Sequence, residues 1–162
     1  NLCFTSDRFV HTELGYNYRM TNVQAAIGVA QLEQIDFIEK KKRWIGYKYN
    51  HFLENLKNIN LPLVKTNYCE NIYWVYAITL KDNYFKTAKQ VMSELKDKNI
   101  GTRPFFYPMH KQPIFNKMGL FLDDKLPNSE KLYQQGLYIP SGLALTEIEI
   151  KEVSLALYKI VN

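Results

Sequence analysis

The sequence predicts an α+β fold in which a long helix leads into a small sheet of about three strands covered by helices. Helical periodicity runs almost without interruption over residues 21–57, whereas residues 58–162 alternate between short strand-like and helix-like segments. The 162 residues, 46% hydrophobic and 14% aromatic, are enough for about one packed domain. We therefore divide the chain into an approach segment (residues 1–20), a bridging helix (21–57) and a small α+β domain (58–162).

Composition and charge argue against several classes of protein. No apolar run approaches the roughly 20 residues that span a bilayer, and no signal peptide is recognisable, so we expect a cytoplasmic protein without a membrane partner. Cys3 and Cys69 are far apart and lack metal-ligand spacing, which argues against a metal site. The net charge of +5 is compatible with a phosphorylated ligand or a nucleic acid. The basic residues are scattered except for the run Lys40–Arg43, which we expect to form a solvated helix face.

The bridging helix is predicted to begin after Thr21, an N-cap residue that forms a capping box with Gln24. Its first turns are small and apolar nearly all the way round, which predicts burial on several sides. Its second half is amphipathic, and Gly46 permits a bend in the middle. An unbroken helix here is on the order of 50 Å long at ~1.5 Å per residue. That length is typical of a connector between a large and a small domain.

The small domain is predicted to alternate strands with helices. The expected elements are a strand over 72–80, a helix with its apolar stripe over 85–95, a loop or edge strand over 102–113, a helix over 129–135, a strand over 137–140 and a final helix. The first strand is β-branched and aromatic on both faces, which predicts that both faces are covered. Asn99 and Gly101 are expected to end the first helix, and Thr146 and Glu149 form a capping box that opens the last one.

The segment 15–28, GYNYRMTNVQAAIG, is the first candidate for a functional site. Asn17 and Arg19 lie just ahead of the predicted helix N-terminus. Unpaired backbone N–H groups and the helix macrodipole favour anions at such a position. On these residues alone, a capped core helix preceded by a polar loop is the favoured interpretation because helix caps are common, and the anion site stays open as the alternative.

The second candidate is the segment 102–113, TRPFFYPMHKQP. Aromatic rings beside an arginine and a histidine fit a hexose carrying a diphosphate, because rings pack on apolar sugar edges and cations attract the charge. Arg103, Phe105 and His110 are the pocket candidates. Consecutive aromatics are equally expected in a buried strand. His11, in the approach segment, is a further candidate that would face a ligand in the same pocket as Asn17, with a structural role as the alternative.

Both segments resemble one family of enzymes. Residues 15–28 resemble the G-x-N-x-R-[ML]-[ST] and Q-A-A-x-G signature of the DegT/StrS-type sugar aminotransferases, and residues 102–113 resemble a segment of their GDP-perosamine synthase-like members. The resemblance implies the C-terminal small domain of a fold-type-I transferase that depends on pyridoxal 5′-phosphate (PLP). It implies that Asn17 binds the cofactor phosphate of a neighbouring subunit, and therefore a homodimer with shared active sites. The substrate-binding residues that it implies are Arg19, Tyr16, His11, Arg103, Phe105 and His110.

The reaction implied by the resemblance moves an amino group from an amino acid, expected to be L-glutamate, to a nucleotide-linked 4-keto-6-deoxyhexose. In the family the Schiff-base lysine and the acid against the pyridine nitrogen precede the signature segment, so no lysine of this chain is assigned a catalytic role. The sequence starts at Asn1 without an initiator Met. We therefore expect a piece of a longer enzyme that is inactive alone.

Two other hypotheses compete with this one. A basic, aromatic-rich nucleic-acid-binding module would account for the charge and for the tyrosines and phenylalanines interleaved with lysines. A non-catalytic relative of the family, used for sensing or dimerisation, would share the signature without the upstream lysine.

Overall fold

The computed structural model describes residues 7–162, so Cys3 and the first part of the approach segment lie outside the described residues. Its helices are α1 (Asn22–Leu32), α2 (Ile35–Leu53), α3 (Ala88–Lys96), α4 (Pro113–Lys117), α5 (Pro127–Gln135) and α6 (Glu147–Val161). Its strands are β1 (Ile59–Asn60), β2 (Tyr76–Leu80), β3 (Arg103–Pro104) and β4 (Gly136–Ile139). A 3₁₀ turn over Met109–Lys111 precedes α4. None of the helices in this part of the chain is both long and apolar enough to cross a membrane.

The sheet is small and antiparallel throughout, with the strand order β1-β2-β4-β3. In the central pair Tyr76 lies opposite Ile139, and at one edge Arg103 lies opposite Tyr138. The mixture of helices with a small sheet is the one expected, but the described residues form four strands rather than three. The strand that the sequence did not indicate is β1, whose two residues are too few to show an alternating pattern.

The expectation of one uninterrupted helix over 21–57 is wrong, because α1 and α2 are separate helices. Gln34 adopts ψ 13°, outside the helical range, and its N–H bonds to the carbonyl of Gln31 in a tight turn. The capping box at Thr21 is confirmed, with reciprocal bonds between its groups and those of Gln24. Only α2 is held by the core of the described chain, since it packs on α6 whereas α1 has no buried residue.

Gly46 has a different role from the predicted bend. It lies within α2, and a Cβ added there would overlap the buried ring of Tyr73, 2.6 Å from Cδ1 and closer still to Cγ. The missing side chain therefore makes room for that ring. Tyr73 itself has φ 51°, a left-handed conformation that ends extended backbone, so residues 72–75 are not part of β2 as predicted.

One hydrophobic cluster joins the sheet to α2, α3 and α6. Its largest fully buried side chains include Tyr49 on α2, Tyr76 on β2 and Leu157 on α6. Burial raises the pKa of the Tyr49 and Tyr76 hydroxyls, so both are neutral donors. The predicted inward residues of α6 are confirmed as buried, whereas Phe85 is 81% exposed and precedes α3 instead of contributing to its apolar stripe.

The basic run Lys40–Arg43 is only in part the solvated face that the sequence suggested, because Lys40 is exposed whereas Lys41, Lys42 and Arg43 are half-buried. Lys41 and Lys42 donate to backbone carbonyls at 2.6–2.9 Å, in the loop before β2 and the loop before α6. Arg43 donates to a carbonyl of the loop before β2 at 2.9 Å and forms ion pairs with Glu39 and Glu70. Partial burial lowers the pKa of Lys42. The carbonyls that accept these hydrogen bonds belong to irregular backbone, so the cations attach α2 to two loops.

Candidate functional site

The approach segment is attached to the loop that carries the second candidate motif. The side-chain amide of Gln112 donates from Nε2 to the carbonyl of Phe9 at 2.7 Å and accepts at Oε1 from the N–H of His11 at 2.9 Å. The N–H of Ile114 donates to the carbonyl of His11 at 3.2 Å. Gln112 is only 4% exposed. We call these three hydrogen bonds the Gln112 clamp.

Aromatic contacts reinforce the attachment. Phe9 has φ 68°, which is uncommon for a bulky residue, and its ring lies 4.5 Å from that of Phe106, centroid to centroid. The guanidinium of Arg8 lies 5.0 Å from the Phe9 ring centroid. Backbone in this conformation persists where the surrounding contacts determine it. The structure therefore fixes residues 8–11 against the small domain.

Asn17 and Arg19 are exposed and have no hydrogen bond or ion pair to any other residue within 7–162. Between and beside them, Tyr16 and Tyr18 stack on each other with centroids 5.1 Å apart and an interplanar angle of 11°. The side chains of Asn17 and Arg19 both precede the capped N-terminus of α1, and their donors are not used within the described chain.

Helix α1 itself is exposed in the described chain. None of its 11 residues is buried or charged. Its apolar side chains that are more than half exposed are Val23, Ile27, Val29 and Leu32. The burial predicted for this helix is therefore not provided by residues 7–162.

Arg103 lies on the edge strand β3, away from the Gln112 clamp. Its side chain is exposed, and its guanidinium donates to the carbonyl of Thr102 at 3.1 Å. It lines an open cavity of about 280 Å³ together with Tyr138 and Ser141. The guanidinium has further donors that no hydrogen bond within the described chain uses, and a planar fork of this kind suits a carboxylate or phosphate.

Phe105 is used for packing. Its ring stacks on Tyr138 with centroids 4.9 Å apart, and a Cβ on Gly136 would lie 2.5 Å from the same ring. Gly136 has no side chain at the point where this ring crosses β4. Phe105 is half-buried and follows β3, so these contacts are those of a packing residue, and its place in a pocket stays a prediction.

His110 is buried, with 5% of the residue exposed, and its position does not offer the ring to a ligand. Nε2 pairs with Glu130 Oε1 at 3.0 Å, and Lys111 Nζ pairs with the other oxygen of the same carboxylate at 2.5 Å. These hydrogen bonds, first from Lys111 and then from His110, hold the pKa of the Glu130 carboxyl below its usual range. Nδ1 of His110 is the one buried side-chain nitrogen or oxygen in the described chain without a partner. The cluster links the 3₁₀ turn to α5.

The structure brings only part of the predicted site together. His11 lines a cavity of about 370 Å³ with residues from the 3₁₀ turn and α4, including Met109 and Gln112. Arg103 lies at a different cavity, and Tyr16, Asn17 and Arg19 line none of the cavities described here. No group of three His, Cys, Asp or Glu side chains within residues 7–162 is placed to hold a metal ion.

Sequence reasoning assigned no role to Gln112, Glu130 or Tyr138, which the structure places at the centre of these contacts. The signal for Gln112 was available, since it stands in the quoted motif as an amide directly before Pro113. Glu130 and Tyr138 carry no local signal, because their partners lie about 20 and 30 residues away in the sequence.

Comparison with known proteins gives a consistent result. A family model described as the DegT/DnrJ/EryC1/StrS aminotransferase family matches residues 3–158. The chain is 36% identical over 146 residues to a GDP-perosamine synthase of Caulobacter vibrioides, covering 89% of this chain and 38% of the relative. It is 35% identical over 147 residues to a GDP-perosamine synthase of Vibrio cholerae, covering 90% and 39%. The chain thus spans about two fifths of the length of these curated relatives.

The fold also matches solved structures. Helicobacter pylori PseC, an aminotransferase involved in the biosynthesis of pseudoaminic acid, superposes with a TM-score of 0.73 over 98% of this chain and 43% of that one. The sequence identity in this match is 20%, so it is a likeness of fold. The mixed helical and antiparallel architecture described above therefore occurs as one portion of a longer enzyme.

Proposed function

Since the chain belongs to the DegT/DnrJ/EryC1/StrS aminotransferase family, we propose that it is the C-terminal part of a PLP-dependent aminotransferase acting on a nucleotide-linked sugar. The observation that carries the proposal is the pair Asn17 and Arg19. Both are exposed, without a partner in the described chain, and stand ahead of a capped helix start within the segment that matches the family signature. Side chains with this chemistry are expected where an anion binds.

The residues present fit the phosphate of PLP. The Asn17 amide donates hydrogen bonds without adding charge, and Arg19 offers a planar fork of donors to a phosphate or carboxylate. When bound, PLP supplies the electron sink for reactions at an amino carbon. The role of this chain is to bind and orient: Asn17 holds the cofactor phosphate, and Arg19 with Tyr16 lies beside it toward the substrate.

The substrate class follows from the relatives. Two relatives named GDP-perosamine synthase match this chain over about nine tenths of its length. We propose that the amino donor is L-glutamate and the acceptor a nucleotide-linked 4-keto-6-deoxyhexose. Arg103, exposed beside its open cavity, is the residue of segment 102–113 that remains available to contact the diphosphate. Phe105 and His110 hold that segment in place, Phe105 by its contact with Tyr138 and His110 by its pairing with Glu130.

The proposed assembly is a homodimer in which Asn17 serves the active site of the neighbouring subunit. In support, the side chain of Asn17 is exposed and has no partner within its own described chain, and α1, which follows it, presents exposed apolar residues and no charge. Such residues are normally covered in a complete protein. We also propose that the enzyme acts in the cytoplasm, where its nucleotide-sugar substrates would be made.

The alternative of a nucleic-acid-binding module receives no support from the described residues. Its basic run is engaged within the chain, since Lys41, Lys42 and Arg43 bond to loops of the small domain. The remaining lysines and arginines are scattered along the sequence instead of being grouped in one stretch. The hypothesis of a non-catalytic relative differs from our proposal only in the upstream lysine.

The test is to express the complete parent chain, titrate it with PLP and follow the visible absorbance of the bound cofactor. Asn17→Ala should weaken PLP binding by about tenfold to a hundredfold, the loss expected for one hydrogen bond to a charged group. Its thermal midpoint should stay close to that of the parent. Asn67→Ala, at an exposed loop position, is the matched control and should leave PLP binding unchanged. A parent chain that binds no PLP would refute the proposal. Equal losses of stability and of PLP affinity in Asn17→Ala would show that Asn17 stabilises the fold instead of binding the cofactor.

A further inference from the structure

We propose that Gln112 is a positioning residue for the cofactor-binding segment, holding the backbone at Phe9 and His11 so that Asn17 is presented in a fixed place. The inference deepens the proposed function and rests on it, because it assumes that Asn17 meets the cofactor phosphate. It adds a residue that makes no contact with cofactor or substrate in this role and acts through the approach segment.

The first support is the geometry of the clamp. One side-chain amide satisfies a backbone carbonyl and a backbone N–H of residues two apart, at 2.7 and 2.9 Å, so its donor and acceptor ends are both used in one orientation. The next residue pair continues the pattern, because Ile114 N–H donates to the His11 carbonyl. Gln112 thus imitates a strand neighbour for the approach segment. A methionine would fill a similar volume but would offer neither a donor nor an acceptor to the two backbone groups.

The second support is that Gln112 stands on rigid backbone. Its N–H donates to the carbonyl of Met109 at 3.1 Å, and its carbonyl accepts from the N–H groups of Phe115 and Asn116 at 3.0 and 3.1 Å. The amide of Asn116 donates in turn to the carbonyl of His110, whose ring is paired with α5 through Glu130. Through the clamp, the approach segment is therefore held by backbone that is itself hydrogen-bonded to the 3₁₀ turn, α4 and α5.

The third support is the position of Asn17 between two fixed points. The clamp holds the chain at His11, and the capping box at Thr21 holds it at the start of α1. Releasing one end of a short segment multiplies the conformations open to its middle, and a binding group then has to be ordered when its ligand arrives. The left-handed backbone of Phe9, φ 68°, is a further sign that the contacts at this end determine the chain path.

The experiment uses the complete parent chain and the variants Gln112→Met and Thr146→Ala. Thr146→Ala removes the N-cap of α6 and is the stability-matched control, because that cap has no contact with the approach segment. Two quantities are measured: hydrogen exchange of the His11 and Ile114 amides without PLP, and the dissociation constant for PLP by absorbance titration. In Gln112→Met we expect both amides to exchange about tenfold faster and the dissociation constant to rise about tenfold, as for other supports of a ligand-contacting residue. In Thr146→Ala neither quantity should change by more than about twofold.

The outcomes separate this inference from the proposed function. Faster amide exchange in Gln112→Met with an unchanged PLP dissociation constant would overturn the positioning role, and unchanged exchange would overturn the clamp itself. Wild-type chain that shows amide protection but binds no PLP would refute the proposed function and the positioning role with it. Where Gln112→Met does not fold, Gln112→Asn replaces it, since the shorter side chain keeps an uncharged amide donor and acceptor but withdraws both by one methylene from Phe9 and His11. That variant should show a smaller rise of the dissociation constant, and no rise at all would overturn the role equally.

Discussion

Gly46→Ala is expected to destabilise the protein, although the same substitution in most helices stabilises them. Alanine is favoured over glycine inside a helix by about 1 kcal/mol. At this position the new Cβ would overlap the Tyr73 ring, which must move by about 1 Å to reach an ordinary carbon contact. Tyr73 is 1% exposed, its ring stacks on Tyr76 at 5.9 Å, and its hydroxyl oxygen accepts a hydrogen bond from the Asn50 amide at 2.9 Å. Overpacking of this kind costs about 1–3 kcal/mol or more, and we take its upper end because the ring is held on several sides. The expected net loss is about 2 kcal/mol.

The assay is urea unfolding of the 162-residue chain followed by tryptophan fluorescence, with the thermal midpoint as a second measure. A loss of about 2 kcal/mol corresponds to a midpoint lowered by about 4–8 °C in a protein of this size. The control is a double-mutant cycle with Tyr73→Ala, in which Gly46→Ala should become stabilising by about 1 kcal/mol because the ring is gone. Gly46→Ala that stabilises the wild-type background, or that has the same effect in both backgrounds, would refute the steric reasoning.

The two remaining predictions concern α6 and the buried histidine. Thr146→Ala should lower the free energy of unfolding by about 1 kcal/mol, the usual loss for an N-cap, and an unchanged urea midpoint would show that the capping box is not formed in solution. Glu130→Ala should flatten the acid side of the curve of stability against pH. Lys111 and His110 depress the pKa of the Glu130 carboxyl. Its contribution to stability is therefore present above the ordinary glutamate pKa of about 4.3 and is lost as the pH falls through the lowered value. Wild type and variant should therefore differ at neutral pH and converge in acid, and parallel curves would contradict the ion-pair assignment.

Local chemistry was predictable from the sequence. The capping boxes at Thr21 and Thr146 form as expected, because each needs only residues within one turn of the helix start. The inward residues of α6 and the strand β4 follow from periodicity in the same way. Asn99 is in the left-handed conformation that ends α3, the other local signal that the structure confirms.

The errors concern contacts between residues that are distant in the chain. The sequence does not show that Gly46 contacts Tyr73, so the glycine indicated a bend. It also does not show the carbonyl partners of the basic run, so that run indicated a solvated face. The break between α1 and α2 has no such explanation among the described residues. Helical periodicity continues through Gln34, and the buried residues of α2 begin only at Ile45.

The candidate site divides in the same way. The signature segment predicted the exposed Asn17 and Arg19 as ligand-binding groups, and that assignment stays a prediction. For segment 102–113, residue types alone did not distinguish Phe105 and His110, which are used for packing and ion pairing, from Arg103, which is exposed. The partners of Phe105 and His110 lie on β4 and α5, and no nearby residue indicates them.

The electrical neutrality of α1 has a consequence for assembly. Its 11 residues contribute no charge, so whatever packs against this helix is attracted only at contact range, by the release of water from apolar side chains. Because such a surface carries no side-chain charge, dissolved salt has no charge–charge attraction to screen there. Contacts made over α1 should therefore be nearly indifferent to sodium chloride, grow stronger in sulfate, and weaken on cooling.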